Sequence, residues 1–246
     1  MQTSCGRKVS IITVVKNGES FLENTISSVL YQTYDDIEYI IIDGGSQDNT
    51  IDIIRKYEED IKKWSSAEDD GIYDAMNKGV KLSSGDYLMF INAGDRLANK
   101  RTVEDLVRVL EKEKVEIVYG DTILHEKTRS RLWKAREIND LWKNALTAHQ
   151  SIICSRNLLV EHPFDKKLKI AADCEWVNFC YYQKKATFFY YPKPVAIYLK
   201  GGFSEKRRVR TYIERWIGIR HYKKEVKVDL HYLKLIFSAV KNYFFA

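Results

Sequence analysis

The residues best placed to do chemistry sit in short polar turns, each following a run of aliphatic side chains. Lys16-Asn17-Gly18 follows Val9 to Val15, Asp43-Gly44-Gly45-Ser46-Gln47-Asp48 follows Tyr39 to Ile42, and Asn92-Ala93-Gly94-Asp95 follows Tyr87 to Ile91. A single such carboxylate is ordinary turn or helix-cap chemistry. Several together point to an anionic ligand and a divalent cation held by carboxylate oxygen, with Asp95 as the candidate anchor. Neither GxGxxG nor GxxxxGK[ST] follows the first aliphatic run, which excludes a diphosphate cradled on a glycine-rich helix start.

The elements that must position these turns are legible from periodicity. Val9 to Val15, Tyr39 to Ile42 and Tyr87 to Ile91 read as strands buried on both faces, with Ile61 to Ser65 as a short third strand in chain order. Helical spacing links Phe21, Leu22, Ile26, Val29 and Leu30, then Ile51, Ile53, Ile54 and Tyr57, then Tyr73 to Leu82. Thr102 is expected to cap a helix with Asp105 in the capping-box position, and Glu116 to Gly120 closes the alternation. Asp173 to Gln183 reads as helix, and Phe188 to Tyr191 and Val195 to Tyr198 as two strands separated by Pro192 and Pro194. This order predicts an α/β fold with a mostly parallel sheet flanked by helices and ligands beyond the carboxyl ends of its strands. The simplest partition is one α/β domain over residues 1–205 and a basic helical extension over 206–246.

At 246 residues and 45% hydrophobic, the chain can bury a substantial core. Cys5, Cys154, Cys174 and Cys180 form no CxxC pair, so a zinc site or disulfide framework is not expected. The N-terminus lacks the apolar stretch of a signal peptide, and no segment is apolar enough to span a bilayer. A cytoplasmic location, peripheral on the inner face of the cell membrane, is therefore expected. Net charge is +6, and Arg207 to Ala246 holds ten Lys or Arg against three acids. The basic character belongs to the tail.

With these residues in hand, the sequence resembles the family 2 glycosyltransferases of the GT-A fold over roughly residues 8–205, of the kind acting in bacterial surface polysaccharide (O-antigen type) biosynthesis. The resemblance rests on Ser10 to Asn17, Ile42 to Thr50, Asp70-Gly71-Ile72-Tyr73-Asp74-Ala75-Met76-Asn77-Lys78-Gly79, Gly85-Asp86-Tyr87 leading to Asn92-Ala93-Gly94-Asp95, His149-Gln150-Ser151, Ile170-Ala171-Ala172-Asp173 and Gly201-Gly202-Phe203-Ser204. It implies a Rossmann-like GT-A domain with Asp43 at the nucleoside and Thr13, Val15 and Asn17 nearby. Asp70, Asp74, Asn77 and Lys78 would hold nucleotide and sugar, while Asn92, Ala93 and His149 would line the pocket. Asp95 would anchor Mg²⁺ or Mn²⁺, although Asn92 and Gly94 stand where the family's Asp-x-Asp motif is often acidic. Asp173 matches the general base of an inverting transfer. Gly201 to Ser204 with Lys206-Arg207-Arg208 would form a basic loop beside the site.

The implied partners are a nucleotide-sugar donor, most simply a UDP-sugar, and a glycan or polyprenyl-diphosphate-linked acceptor. Lys and Arg interleaved with Trp216, Ile217, Ile219, Tyr222, Leu230, Tyr232, Leu233, Leu235, Ile236, Phe237, Val240, Tyr243, Phe244 and Phe245 suit an amphipathic helix on a membrane surface; helices simply packed on the sheet are the other reading. Nucleic acid is not expected, for want of a binding module. The competing functions are a nucleotidyltransferase, which would need the missing glycine-rich loop, and a non-catalytic nucleotide-sugar or membrane-binding module.

Overall fold

Residues 7–202 and 207–244 are described by the computed structural model. The aliphatic runs build a parallel half-sheet: β1 (Val9–Val15), β2 (Ile37–Asp43), β3 (Lys63–Ser66) and β4 (Tyr87–Phe90), with β1 between β2 and β4 and β3 at the β2 edge. Every residue of β1 is buried. Ile12, Val14, Ile40 and Ile42 face one core, and Ile11, Val15, Tyr39 and Ile41 the other, the alternation a pleated strand imposes. Each fully buried Ile contributes roughly 1.5–3 kcal/mol, which makes these strands a stiff platform for the turns at their ends.

Helices cover both faces because their apolar residues recur on one side. α1 (Leu22–Leu30), α2 (Thr50–Lys56) and α4 (Thr102–Glu113) bury Leu22, Ile26, Ile54, Leu106 and Leu110 on one face; α3 (Ile72–Leu82) buries Tyr73, Met76 and Val80 on the other. α3 lies so close that a Cβ on Gly79 would come within 2.5 Å of Ile12 Cγ2. Thr102 does not cap α4: it is the first helical residue, and its Oγ1 accepts instead from Asn99 N at 3.2 Å. Asp105 is turned to the sheet, where its carboxylate accepts the Tyr191 hydroxyl at 3.0 Å.

Beyond α4 the simple alternation ends. β5 (Arg96–Leu97), β6 (Ile117–Glu126), β7 (Arg129–Trp133), β8 (Ile152–Ser155) and β9 (Phe188–Leu199) complete a nine-stranded sheet of order β3-β2-β1-β4-β8-β6-β9-β5, with β7 paired to β6. β8 inserts between β4 and β6, antiparallel to both, and β9 runs parallel to β6. The two strands expected around Pro192 and Pro194 are one. The prolines sit where the β6–β9 register slips between Gly120 and Thr122, and a bulge tolerates residues that lack an N–H because the ladder skips there. Gly120 is needed at that slip, since a Cβ would stand 2.8 Å from Lys193 O and 2.9 Å from Tyr191 O.

α5 (Arg156–Glu161) and α6 (Ala172–Asn178), the latter running into a π-helical turn over Phe179–Lys184, pack on the α3 face. α7 (Arg208–Arg220) and α8 (Val226–Phe244) form a small third core of Ile219, Val228 and Tyr232 with Trp142 and Trp216. Cys154 and Cys180 are buried and Cys174 half-buried, all three free; Cys5 lies outside the described residues. No helix among the described residues is long and apolar enough to cross a membrane.

Candidate active site

The turns after β1 and β2 are stitched to each other. Asn17, in the left-handed region at φ 53°, donates its backbone N–H to Ser46 Oγ at 2.7 Å, and its side-chain oxygen accepts Gln47 N at 2.9 Å. The Val15 carbonyl accepts Gly44 N at 2.9 Å. Asp43 is fully buried, and its carboxylate accepts Gly45 N and Ser46 N at 3.0 Å each, Ser66 Oγ at 2.7 Å and the Ser46 hydroxyl. The carboxylate therefore shapes its own loop. Thr13 Oγ1 donates to Ile91 O at 2.7 Å inside the core, so only its backbone can face a ligand.

The α3 residues form a second, separate cluster. Asp74 binds Lys166 at 2.9 Å and Lys78 at 3.0 Å, and the Lys166 hydrogen bond, with Lys78, holds its carboxyl well below the usual range. Asp70, 3.4 Å from Lys166, is exposed. Asn77 clamps the Phe164 backbone through both its amide atoms at 2.9 and 3.0 Å, and Lys78 also donates to Glu68 O at 3.0 Å. None of Asp70, Asp74, Asn77 or Lys78 lines the main cavity.

That cavity, about 860 Å³, brings together Asn92, Ala93, Asp95, His149 and Asp173. A hydrogen-bonded chain runs through three of them. Asn92 Nδ2 lies 2.9 Å from His149 Nε2, and His149 Nδ1 lies 3.2 Å from Asp173 Oδ2. An amide nitrogen only donates, so with Asn92 in this orientation Nε2 accepts and Nδ1–H points at Asp173. Tyr73 Oη stands 2.9 Å from Asp173 Oδ1 and 2.8 Å from Ile170 O, and Cys174 N donates to the same Oδ1 at 2.9 Å. Burial alone would raise the Asp173 carboxyl, but the hydrogen bond and electrostatic pull of the His149 Nδ1–H, with the charge of Arg215 and the Tyr73 hydroxyl, outweigh it and leave the group below its ordinary value. Asp173 is thus held ionised.

Asp95 meets the opposite fate. It is 5% exposed, and burial pushes its carboxyl up to about 6, against hydrogen bonds from Leu199 N at 3.0 Å and the Gln150 amide. Two carboxylates in one cavity are driven apart, the pattern that assigns different roles to a pair of acids. Asn92 Oδ1 and Gln150 Oε1 are buried without a hydrogen-bond partner among the described residues. Among the described residues, no three His, Cys, Asp or Glu side chains converge as a metal site, so a cation at Asp95 would draw on amide oxygens, ligand oxygens and water.

α7 is built into the site. Its Glu214, 5% exposed, accepts Ile170 N at 2.7 Å and Ala171 N at 3.2 Å, closing the start of the helix that carries Asp173. Gly218 lies against Glu175, where a Cβ would come within 3.2 Å of Glu175 Cβ. Tyr222 Oη donates to the Glu175 carboxylate, which turns away from the cavity. Truncating Glu214 strands two buried N–H groups, each costing about 1–3 kcal/mol. Glu214→Ala is therefore expected to lose on the order of 3 kcal/mol in urea unfolding, with Glu214→Gln recovering part; an unchanged midpoint would exclude the cap.

A family model described as Glycosyl transferase family 2 matches residues 10–191. The chain belongs to glycosyl transferase family 2. A PGL/p-HBAD biosynthesis glycosyltransferase of Mycobacterium bovis (strain BCG / Pasteur 1173P2) is 30% identical over 212 residues, covering 84% of this chain and 82% of the relative. S. aureus TarS superposes with a TM-score of 0.71 at 18% identity over 94% of this chain, which spans only 44% of the TarS chain. The mannosyltransferase PcManGT from Pyrobaculum calidifontis, solved in complex with GDP-Man and Mn²⁺, gives a TM-score of 0.69 at 16% identity, covering 94% of this chain and 69% of that one. At such identities the solved structures speak for the GT-A fold alone.

As a family 2 glycosyltransferase, the chain is an enzyme whose matched region stops before α7. Reading the motifs missed Arg215, which looks like one more basic residue of the tail, and Gln150, whose role appears only once it reaches Asp95. Tyr73 sat inside a quoted motif without a part assigned to it. Phe203, Ser204 and Lys206 of the expected basic loop lie outside the described residues, while Gly201, Gly202 and Arg208 line the cavity.

Proposed function

We propose that this family 2 enzyme moves a sugar from a nucleotide-sugar donor, a UDP-sugar in the simplest case, to a glycan or lipid-linked acceptor with inversion at the anomeric carbon. The observation that carries the reading is Asp173, held ionised by His149, Arg215 and Tyr73 while facing the same cavity as Asp95. An acceptor hydroxyl attacking the anomeric carbon must lose its proton, and an ionised carboxylate within reach takes it. One displacement inverts the centre, so an α-linked donor gives a β-linked product. The nucleoside is assigned to the β1 and β2 ends, near Thr13, Val15, Asn17 and Asp43, while Asp70, Asp74, Asn77 and Lys78, outside the main cavity, are given the part of fixing α3 beside the nucleotide rather than touching the sugar.

Mg²⁺ or Mn²⁺ fits beside Asp95. The donor set is hard oxygen, and the unpartnered Asn92 Oδ1 and Gln150 Oε1 are buried acceptors near a carboxylate that burial disfavours. Asp95, Asn92 and Gln150 would hold the ion, which when bound neutralises charge on the departing diphosphate. The test is a screen of UDP-, GDP- and dTDP-sugars for Mn²⁺-dependent donor hydrolysis by the full chain. Activity on at least one donor is expected; inertness toward all would leave only a nucleotide-sugar or membrane-binding module.

The enzyme is assigned to the cytoplasmic side of a membrane, held peripherally in the service of surface polysaccharide synthesis. Val226, Leu230, Leu233 and Phe237 are 73%, 54%, 49% and 74% exposed, and their spacing places them on one face of α8, with Lys227 and Lys234 alongside. Apolar side chains flanked by Lys suit an anionic lipid surface. Because α7 supplies Glu214 and Arg215, cutting the chain after Ser204 would damage the site. Substitution is cleaner: Leu230→Glu with Phe237→Glu is expected to abolish sedimentation with phosphatidylglycerol vesicles, and undiminished binding would end the membrane reading.

A further inference from the structure

The side of the cavity away from the proposed nucleoside end is lined by cations, of which only Arg215 has a part in the transfer reaction. Seven Lys or Arg and two Asp line the cavity. Only Lys200 of the seven is held in an ion pair among the described residues, with Glu126 at 2.7 Å. Two guanidinium nitrogens, Arg136 Nε after β7 and Arg215 Nε on α7, are buried without a hydrogen-bond partner among the described residues. Leaving buried donors unsatisfied is costly, and a charged group more so. Arg215 Nη1 is fixed by Asn144 Oδ1, so the plane of its fork is set.

Sheet order places this cationic wall. The proposed nucleoside end lies at β2 and β1, the Asn92 to Asp95 turn follows β4, and His149 and Asp173 come next. Arg131 lies on β7, which pairs with β6, two strands past β4 from the proposed nucleoside end, and Arg136 follows β7. A group bound there lies farther from that end than the Asn92 to Asp95 turn, on the side left for an acceptor. Planar forks with several N–H donors match phosphoryl oxygens bidentately, and a cavity lined by one sign of charge concentrates such anions.

We infer that Arg136, Arg215 and Arg131 form an acceptor subsite that recognises a phosphoryl group, so that the hydroxyl presented to Asp173 belongs to a phosphate-bearing acceptor. This rests on the proposed transfer reaction for the word acceptor, but not for the binding of the anion. Isothermal titration of the full chain with farnesyl monophosphate, glycerol 3-phosphate, glucuronate and UDP tests it, in the wild type and in Arg136→Gln and Arg131→Gln. Arg131 is exposed on β7, so its variant serves even where the Arg136 change compromises folding.

At least one phosphomonoester is expected to bind and glucuronate more weakly, with each substitution weakening the phosphomonoester about tenfold and UDP less than twofold. Farnesyl monophosphate alone would indicate a lipid-borne phosphate, and equal binding of glycerol 3-phosphate a soluble or polymeric one. No phosphomonoester binding, a preference for glucuronate, or an equal loss of UDP affinity in the variants would overturn the subsite. Phosphomonoester binding without turnover of any donor would sink the proposed reaction alone; donor hydrolysis without phosphomonoester binding would sink the subsite alone.

Discussion

Asp173→Asn is expected to lower kcat for sugar transfer by about 10²–10⁴-fold, the range that general base catalysis supplies. The change keeps size and an oxygen for Tyr73 Oη and Cys174 N to reach, so the α6 start should hold and donor KM should change little. What is lost is the negative charge that His149 and Arg215 surround. Those neighbours also set the acid limb of the pH profile. Because they lower the Asp173 carboxyl below its ordinary value, wild-type kcat/KM should stay level until below the usual carboxylate range, and His149→Ala should move that limb upward. Wild-type transfer rates in Asp173→Asn would remove Asp173 as the base.

Asp95→Asn is expected to stabilise the metal-free protein at neutral pH while ending its response to metal. The folded carboxyl lies at about 6 against an ordinary 3.8, so its contribution is full below the unfolded value and disappears as pH rises through about 6. That shift corresponds to roughly 3 kcal/mol. Urea unfolding of the metal-free wild type should therefore show this group's loss between pH 4 and 7.5, and the variant should not. The Asn amide can pair with Gln150 once that side chain turns its unpartnered oxygen inward. Mn²⁺ with UDP should raise the wild-type midpoint at pH 7.5 and leave the variant's unchanged. Identical pH dependence in the two proteins would refute the buried, disfavoured carboxylate.

The parts of this fold that could be read in advance are those whose environment is uniform along the chain. Val9 to Val15 announces itself because both faces of β1 are covered, and Asp95 because it follows such a strand. Asp43 was legible in place, but its hydrogen bonds were not: nothing local says that Ser66, on another strand, will donate to its carboxylate. The prolines of β9 read as a break because a bulge depends on the partner, and Gly120 lies 72 positions before Pro192 in the chain. Arg215 was hidden for the same reason. Its neighbours in sequence are other tail cations, and only the packing of α7 on α6 turns one of them toward Asp173.

The Glu214 contact separates the unit of inheritance from the unit of folding. The family model's match ends at residue 191, yet the start of α6 is closed by a carboxylate 23 positions later. Grafting the matched segment alone onto another C-terminal region would carry over every motif up to Asp173 and lose the residue that completes the base's helix. Relatives with unrelated sequence after β9 must close that helix by other means, and exchange of tails between them is expected to cost activity even when the motifs match residue for residue.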